Sequence, residues 1–293
     1  MKNNYFIISL LFFSIFAHGQ DITMSGNVSV EFVPKKVYDF ATLSVYYDYT
    51  QSVYPGGRDK QYGETVLLIG QQYWGFMDWN SYQSDSLQDA YAARGLPSSD
   101  LIKTLTRARK ENGDRASYLY PMVANRSDGI CTVQMRATSF SSSYQYEEPL
   151  PEMSWQLTSD TCKIKDLVCA KATCRFGGRT WTAWYTQQYD IPFGPYLFGG
   201  LPGLIVSLED SIGDYAFKLS GLEVTPNGRP IYLRNKKNLV ITTTREKAMQ
   251  GVKNECGDVS KSLMARSPST ARQHNGALLN MKKSVPYNPI ELE

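Results

Sequence analysis

Histidine is nearly missing from this sequence: of 293 residues only His18 and His274 carry an imidazole, and His18 lies in the apolar N-terminal stretch. A Ser-His-Asp or Cys-His relay needs a histidine as its base, and His274 sits in the Ser-, Asn- and Gln-rich run SPSTARQHNG, where a surface residue is expected. Metal-binding patterns are lacking too. The cysteines are spaced C-x6-C and C-x4-C between Cys162, Cys169 and Cys174, with no C-x2-C pair and no companion histidines, so no metal ligand is assigned. No G-x-S-x-G elbow or H-E-x-x-H run occurs, and the glycines from Gly199 to Gly203 are interrupted by Pro202 and lack the Lys and Ser or Thr of a phosphate-cradling loop. No cofactor is expected, and catalytic residues are assigned to none. Charge of one sign is scarce as well: 31 basic against 28 acidic residues leave +3, which gives no basic footprint for nucleic acid. Internal repeats, linkers and a second long apolar run are absent, so one domain is the default.

The N-terminus has the pattern of an address. Lys2 precedes an apolar run from Tyr5 to Phe16, and Ala17 and Gly19 place small residues at −3 and −1 of a cleavage point. This predicts a secretory signal peptide over residues 1–19, the run being short of the ~20 apolar residues that a spanning helix needs. No cysteine follows it to be acylated. Residues 20–293 are then expected as one soluble domain without a transmembrane segment, exported to the periplasm or cell envelope. An oxidising compartment favours disulfides, with Cys131, Cys162, Cys169 and Cys174 as candidates and Cys256 as the odd thiol; spacing leaves their connectivity open.

What is abundant is aromatic surface. Aromatics make up 13% of the chain, with 20 tyrosines, and such residues suit a pleated, half-buried surface. Residues 30–51 alternate aromatic or β-branched with polar residues, and residues 64–78 give a second strand signal. Helices are predicted over 82–94 and 98–111, the latter opening on Ser98, Ser99 and Asp100 as N-cap candidates. From Ala116 to Leu222, short strands alternate with turns at Asn125–Gly129, Gly177-Gly178 and Ile212–Asp214, the pattern of an antiparallel meander. Thr243 and Glu246 form a capping box for a helix ending near Gly257, followed by an irregular tail. The fold class is therefore mainly β (α+β): a curved, half-barrel-like antiparallel sheet with two or three peripheral helices.

The densest stretch runs from Cys174 to Leu208. Gly177-Gly178 closes a hairpin, after which Trp181, Ala183 and Tyr185 share one face and Trp184 the other. Either both faces are covered, or one carries its aromatics into an open groove. On the second reading Arg179, Trp181, Trp184, Tyr185, Tyr189, Tyr196 and Phe198 are the candidate ligand-binding residues. Pro192, Pro195 and Pro202, interleaved with Gly194, Gly199, Gly200 and Gly203, rule out regular helix or central strand beside them. Asp190, Glu209, Asp210 and Asp214 cluster around the same stretch and keep carboxylate chemistry open.

The hexapeptide Gly200-Leu201-Pro202-Gly203-Leu204-Ile205 is similar to the motif that names the GLPGLI family, a Porphyromonas-type group of secreted Bacteroidetes proteins of unknown function. Further blocks resemble it in the same order: residues 169–172, 176–179 and 181–186, Ile191-Pro192, Gly194-Pro195 and the terminal Tyr287–Glu293. Asp166-Leu167-Val168 departs from the pattern, where relatives more often carry a glycine and an aromatic just before the cysteine. The resemblance implies a signal peptide, a β-rich secreted protein and no established activity. The expected function is a periplasmic binding or carrier protein for an apolar or amphipathic ligand. The alternatives are a structural partner of an outer-membrane complex and a carboxylate-dependent hydrolase.

Overall fold

The computed structural model describes residues 28–113, 115–139, 141–259 and 284–293. The expected signal peptide and His274 lie outside the described residues. Two antiparallel meanders make one sheet. The first comprises β1 (Lys35–Tyr54), β2 (Arg58–Ile69), β3 (Tyr73–Asp78), β4 (Met122–Asn125), β5 (Ile130–Met135) and β6 (Ser143–Pro149). The second comprises β7 (Gln156–Ile164), β8 (Leu167–Phe176), β9 (Arg179–Thr186), β10 (Leu204–Asp210) and β11 (Tyr215–Arg234). They join at the middle, where β1 pairs with β11 from Lys35↔Arg234 to Gln51↔Tyr215. A short β12 (Val240–Thr242) adds to the free edge of β6 in parallel, giving the order β12-β6-β5-β4-β3-β2-β1-β11-β10-β9-β8-β7. The sheet is open and curved rather than a closed barrel.

Alternation along the strands sends side chains to two separate cores, as a period of two requires. On the inner face, Tyr47, Tyr49, Leu67, Trp74, Phe76, Tyr146, Trp181 and Phe217 form one cluster. Strands near opposite edges share it because the sheet wraps around this face. The 187–203 loop and α3 (Arg245–Gly257) fill the remaining space through Tyr196, Phe198, Ala248 and Val252. On the outer face, Val66, Leu68, Met77, Val123 and Ile231 form a smaller cluster covered by α1 (Trp79–Ala93) through Tyr82. A further helix, α2 (Ser98–Asn112), follows α1. Each large side chain so buried is worth about 2–3 kcal/mol of hydrophobic stabilisation.

Several local expectations need correction. Residues 64–78 are two strands, because the chain turns at Gly70, where the Asp39 carboxylate lies 2.5 Å from the position of any added Cβ. The N-cap of α2 is Pro97 and its side chain makes no capping bond; the capping residue of α3 is Thr244, whose hydroxyl accepts from Lys247 N at 3.4 Å. The expected disulfides are not formed: Cys131, Cys162, Cys169, Cys174 and Cys256 are all free thiols. Cys131 on β5 and Cys174 on β8 are each buried in the inner core, while Cys162 faces Cys169 across β7 and β8 with both thiols reduced. Burial pushes the Cys131 and Cys174 thiols up to about 12 and Cys256 to about 11, so they stay protonated and unreactive. A chain of this length builds a core large enough to need no covalent staple.

Candidate functional site

The aromatic residues singled out in the sequence enter the inner core. Trp181, Tyr196 and Phe198 are fully buried and Tyr185 nearly so. Phe198 packs edge-on to Trp181 with ring centroids 4.7 Å apart, and Trp181 Nε1 donates to Phe176 O at 3.1 Å. Trp184 is on the opposite, half-exposed face beneath Lys171, whose ammonium is 5.8 Å from the ring centre. Tyr189 is exposed. The inner face of the hairpin is therefore filled at Trp181 and Tyr185, and these two rings line no open groove. The hexapeptide helps to close that core: Leu201, Leu204 and Ile205 are buried, while Gly203, at φ +140°, lies so close to the backbone of Thr186 that an added Cβ would fall 2.1 Å from its carbonyl oxygen.

Arg179 is buried at the start of β9, and every nitrogen of its guanidinium is engaged. Nη1 donates to Asp210 at 2.8 Å and Asp214 at 3.0 Å; Nε donates to Ile290 O at 3.1 Å; Nη2 donates to Asn288 Oδ1 at 2.8 Å and Pro289 O at 2.7 Å. Two of the four carboxylates considered for acid–base work are thus held by this arginine. Asp190 and Glu209 are exposed.

A cleft of about 650 Å³ opens elsewhere, between the β2–β3 turn, the β4–β5 turn and the loop after β9. This is within the ordinary size range of small-molecule sites. Phe40, Leu43, Ile69, Ile191 and Phe193 give it apolar walls, and Asp39, Arg126 and Asp190 give it a polar rim. Phe193 stacks on Trp74 with centroids 5.1 Å apart, and the exposed Arg126 guanidinium lies 5.3 Å from the other ring partner's centre, that of Phe193. Arg126 Nη1 donates to Gly70 O at 3.0 Å and Gln71 O at 3.3 Å, which fixes its place over the turn. Burial works to raise the Asp39 carboxyl, but the backbone N–H groups of Tyr73, Gln72 and Phe40 outweigh it and hold the group below the usual carboxylate value. Asp39 is therefore a turn-forming anion, while Arg126 and Asp190 face solvent. Of these residues the sequence singles out Asp190, Ile191 and Pro192, and the Asn125–Gly129 turn is the pointer to Arg126.

A second polar group lies beneath α1. Asp78 caps the helix by accepting from Ser81 N at 2.7 Å and also accepts from Tyr118 N at 2.9 Å; burial raises its carboxyl. Asp85 accepts from Tyr232 Oη at 2.9 Å and from Arg234 Nε at 2.9 Å. Beside them Arg136 is buried, its Nε and the Tyr118 hydroxyl both without a hydrogen-bond partner among the described residues, around a cavity of about 30 Å³. Nothing in the sequence marked Arg136.

No family model and no curated protein matches the chain. Among solved structures, it is similar to PNGF-II in the P21 crystal form, with a TM-score of 0.44 and 11% identity over 74% of this chain and 34% of that one. PNGF-II in the C2 form gives a TM-score of 0.43 and 12% identity over 73% of this chain and 33% of that one. The chain thus spans about a third of the length of these structures.

Proposed function

We propose that this chain is a secreted cell-envelope protein of the GLPGLI type that binds an amphipathic ligand in the cleft between Phe40 and Phe193. The observation that carries this reading is the cleft itself: open, about 650 Å³, apolar on its walls and charged on its rim. The apolar body of the ligand lies against Phe40, Leu43, Ile69, Ile191 and Phe193, and its polar head sits at the rim between Arg126 and Asp190. Phe40 is 58% exposed, an apolar ring whose exposure a ligand would remove. The hydrolase reading has less support, because Asp210 and Asp214 are committed to Arg179.

Native mass spectrometry of protein purified from the envelope without organic solvent tests the proposal. A bound small molecule, and a hydrophobic dye whose binding weakens tenfold or more in Phe40→Glu, is the expected result. A clean apo protein that ignores the dye would sink it, and a co-purifying membrane protein would transfer the case to the structural-partner alternative.

A further inference from the structure

The terminal segment, residues 284–293, is held in the manner of a ligand. It joins no strand of the sheet. Among the described residues two backbone bonds tie it to the body, Val285 N to Cys256 O at 2.8 Å and Leu292 N to Gly177 O at 2.7 Å. Side chains from several elements do the rest. Asn288 accepts from Arg179 through Oδ1 and donates through Nδ2 to Ser52 O at 3.0 Å, while its own carbonyl accepts from the Tyr215 hydroxyl at 2.5 Å. Pro289 and Ile290 offer their carbonyls to Arg179, and the Ile290 side chain is 1% exposed within the inner core. Glu291, also buried, accepts from the Tyr196 hydroxyl and from Arg245. Gly177 and Gly178 make room: an added Cβ would fall 2.8 Å from Glu291 Cγ and 3.0 Å from Leu292 Cβ, respectively.

Such a cradle reads sequence. It has a two-way amide site for Asn, no demand on the N–H that proline lacks, a dry socket for an aliphatic side chain, and a hydroxyl with a guanidinium for a carboxylate. Without an occupant, Nε and Nη2 of Arg179 and the Tyr215 and Tyr196 hydroxyls would lose these buried partners, at a steep free-energy cost. We propose that the cradle is a peptide-binding site for an extended Asn-Pro-aliphatic-Glu sequence, and that a second copy of this chain is its partner in trans. The linking residues 260–283 span at most about 80 Å, enough to reach a neighbouring molecule. An exchanged segment makes the same contacts as its own, so protein concentration sets the balance. This inference is independent of the cleft between Phe40 and Phe193.

The test uses the full chain with a protease site placed within 260–283, cut after folding, and a fluorescent peptide of residues 284–293. Saturable uptake of the peptide by the cut protein is expected, with at least tenfold weaker uptake of the peptide carrying Ile290→Asp. Equal uptake of both peptides, or of neither, overturns the proposal. The uncut chain carrying Ile290→Asp, whose own segment cannot seat, is expected to take up the unaltered peptide as well. For the partner in trans, light scattering on uncut protein refolded at rising concentration is expected to show a dimer that excess peptide returns to monomer. Monomer at every concentration overturns that part.

Discussion

Arg179, at the start of β9, and Arg136, just after β5, are both buried arginines, and they differ in what surrounds them. Arg179 on the inner face has two carboxylates, two backbone carbonyls and an amide oxygen on its guanidinium. Among the described residues Arg136, under α1, has no carboxylate within ion-pairing distance, and its Nε is unpartnered. Burial, followed by the like charge of Arg234, pushes its guanidinium down to about 10 in spite of Asp78 and Asp85. The contrast teaches that burial of a charge says little until its partners are counted. A fully paired arginine ties distant chain segments together, whereas an unpaired one is a local cost that the fold carries elsewhere.

The sharpest way to break the comparison is Arg179→Met. It leaves Asp210 and Asp214 buried without a cation and releases the Pro289 and Ile290 carbonyls and the Asn288 side-chain oxygen, with an expected loss of about 3–5 kcal/mol in urea unfolding. Little change in the midpoint would show that the two arginines are equivalent after all.

Raising the pH should stress both regions through their tyrosines. Burial raises the hydroxyl pKa of Tyr49, Tyr196 and Tyr215 near Arg179, and of Tyr118, Tyr82 and Tyr232 near Arg136. These groups stay protonated in the folded chain while the unfolded chain begins to release protons near 10. Their contribution is therefore intact below pH 10 and lost as pH climbs above it, by up to ~1.4 kcal/mol per tyrosine per pH unit. Alkaline denaturation followed by tyrosinate absorbance should show one steep, cooperative step; gradual titration in a folded protein would contradict it.

Arg136→Met is expected to behave in the opposite way from the first substitution, moving stability by no more than ~1 kcal/mol and in the stabilising direction, since it removes an unsatisfied buried donor. A loss comparable to that of Arg179→Met would mean that Arg136 has a partner as good as the aspartates. The smallest effect concerns the thiols near the Arg179 half. In native protein, alkylation should label half-exposed Cys162 first, while Cys131, Cys174 and Cys256 wait for unfolding, as timed mass spectrometry would reveal.

Local chemistry was legible in the sequence and long-range chemistry was not. The Gly177-Gly178 hairpin and the shared face of Trp181, Ala183 and Tyr185 follow from positive φ and a period of two, and both glycines do take positive φ. The same pattern could not say that the loop through Tyr196 and Phe198 would cover that face. Arg179 stood out beside the hairpin, but its role depends on Asn288, 109 residues away. The cleft draws on β1, two turns and the loop after β9, so no contiguous motif announces it. The cysteine expectation came from compartment rather than geometry, and all five thiols are free, Cys162 and Cys169 included, although they pair across β7 and β8.

The seam between β1 and β11 also bears on how the chain is made. Lys35 and Arg234, paired at its end, lie almost two hundred residues apart. The first meander is therefore complete before its 20-residue central strand has a neighbour on one side. Until β11 emerges, that strand is an open edge rich in tyrosine, in the very place where the finished protein has none. Assembly must be slow by topology, and the half-made chain is its most aggregation-prone form.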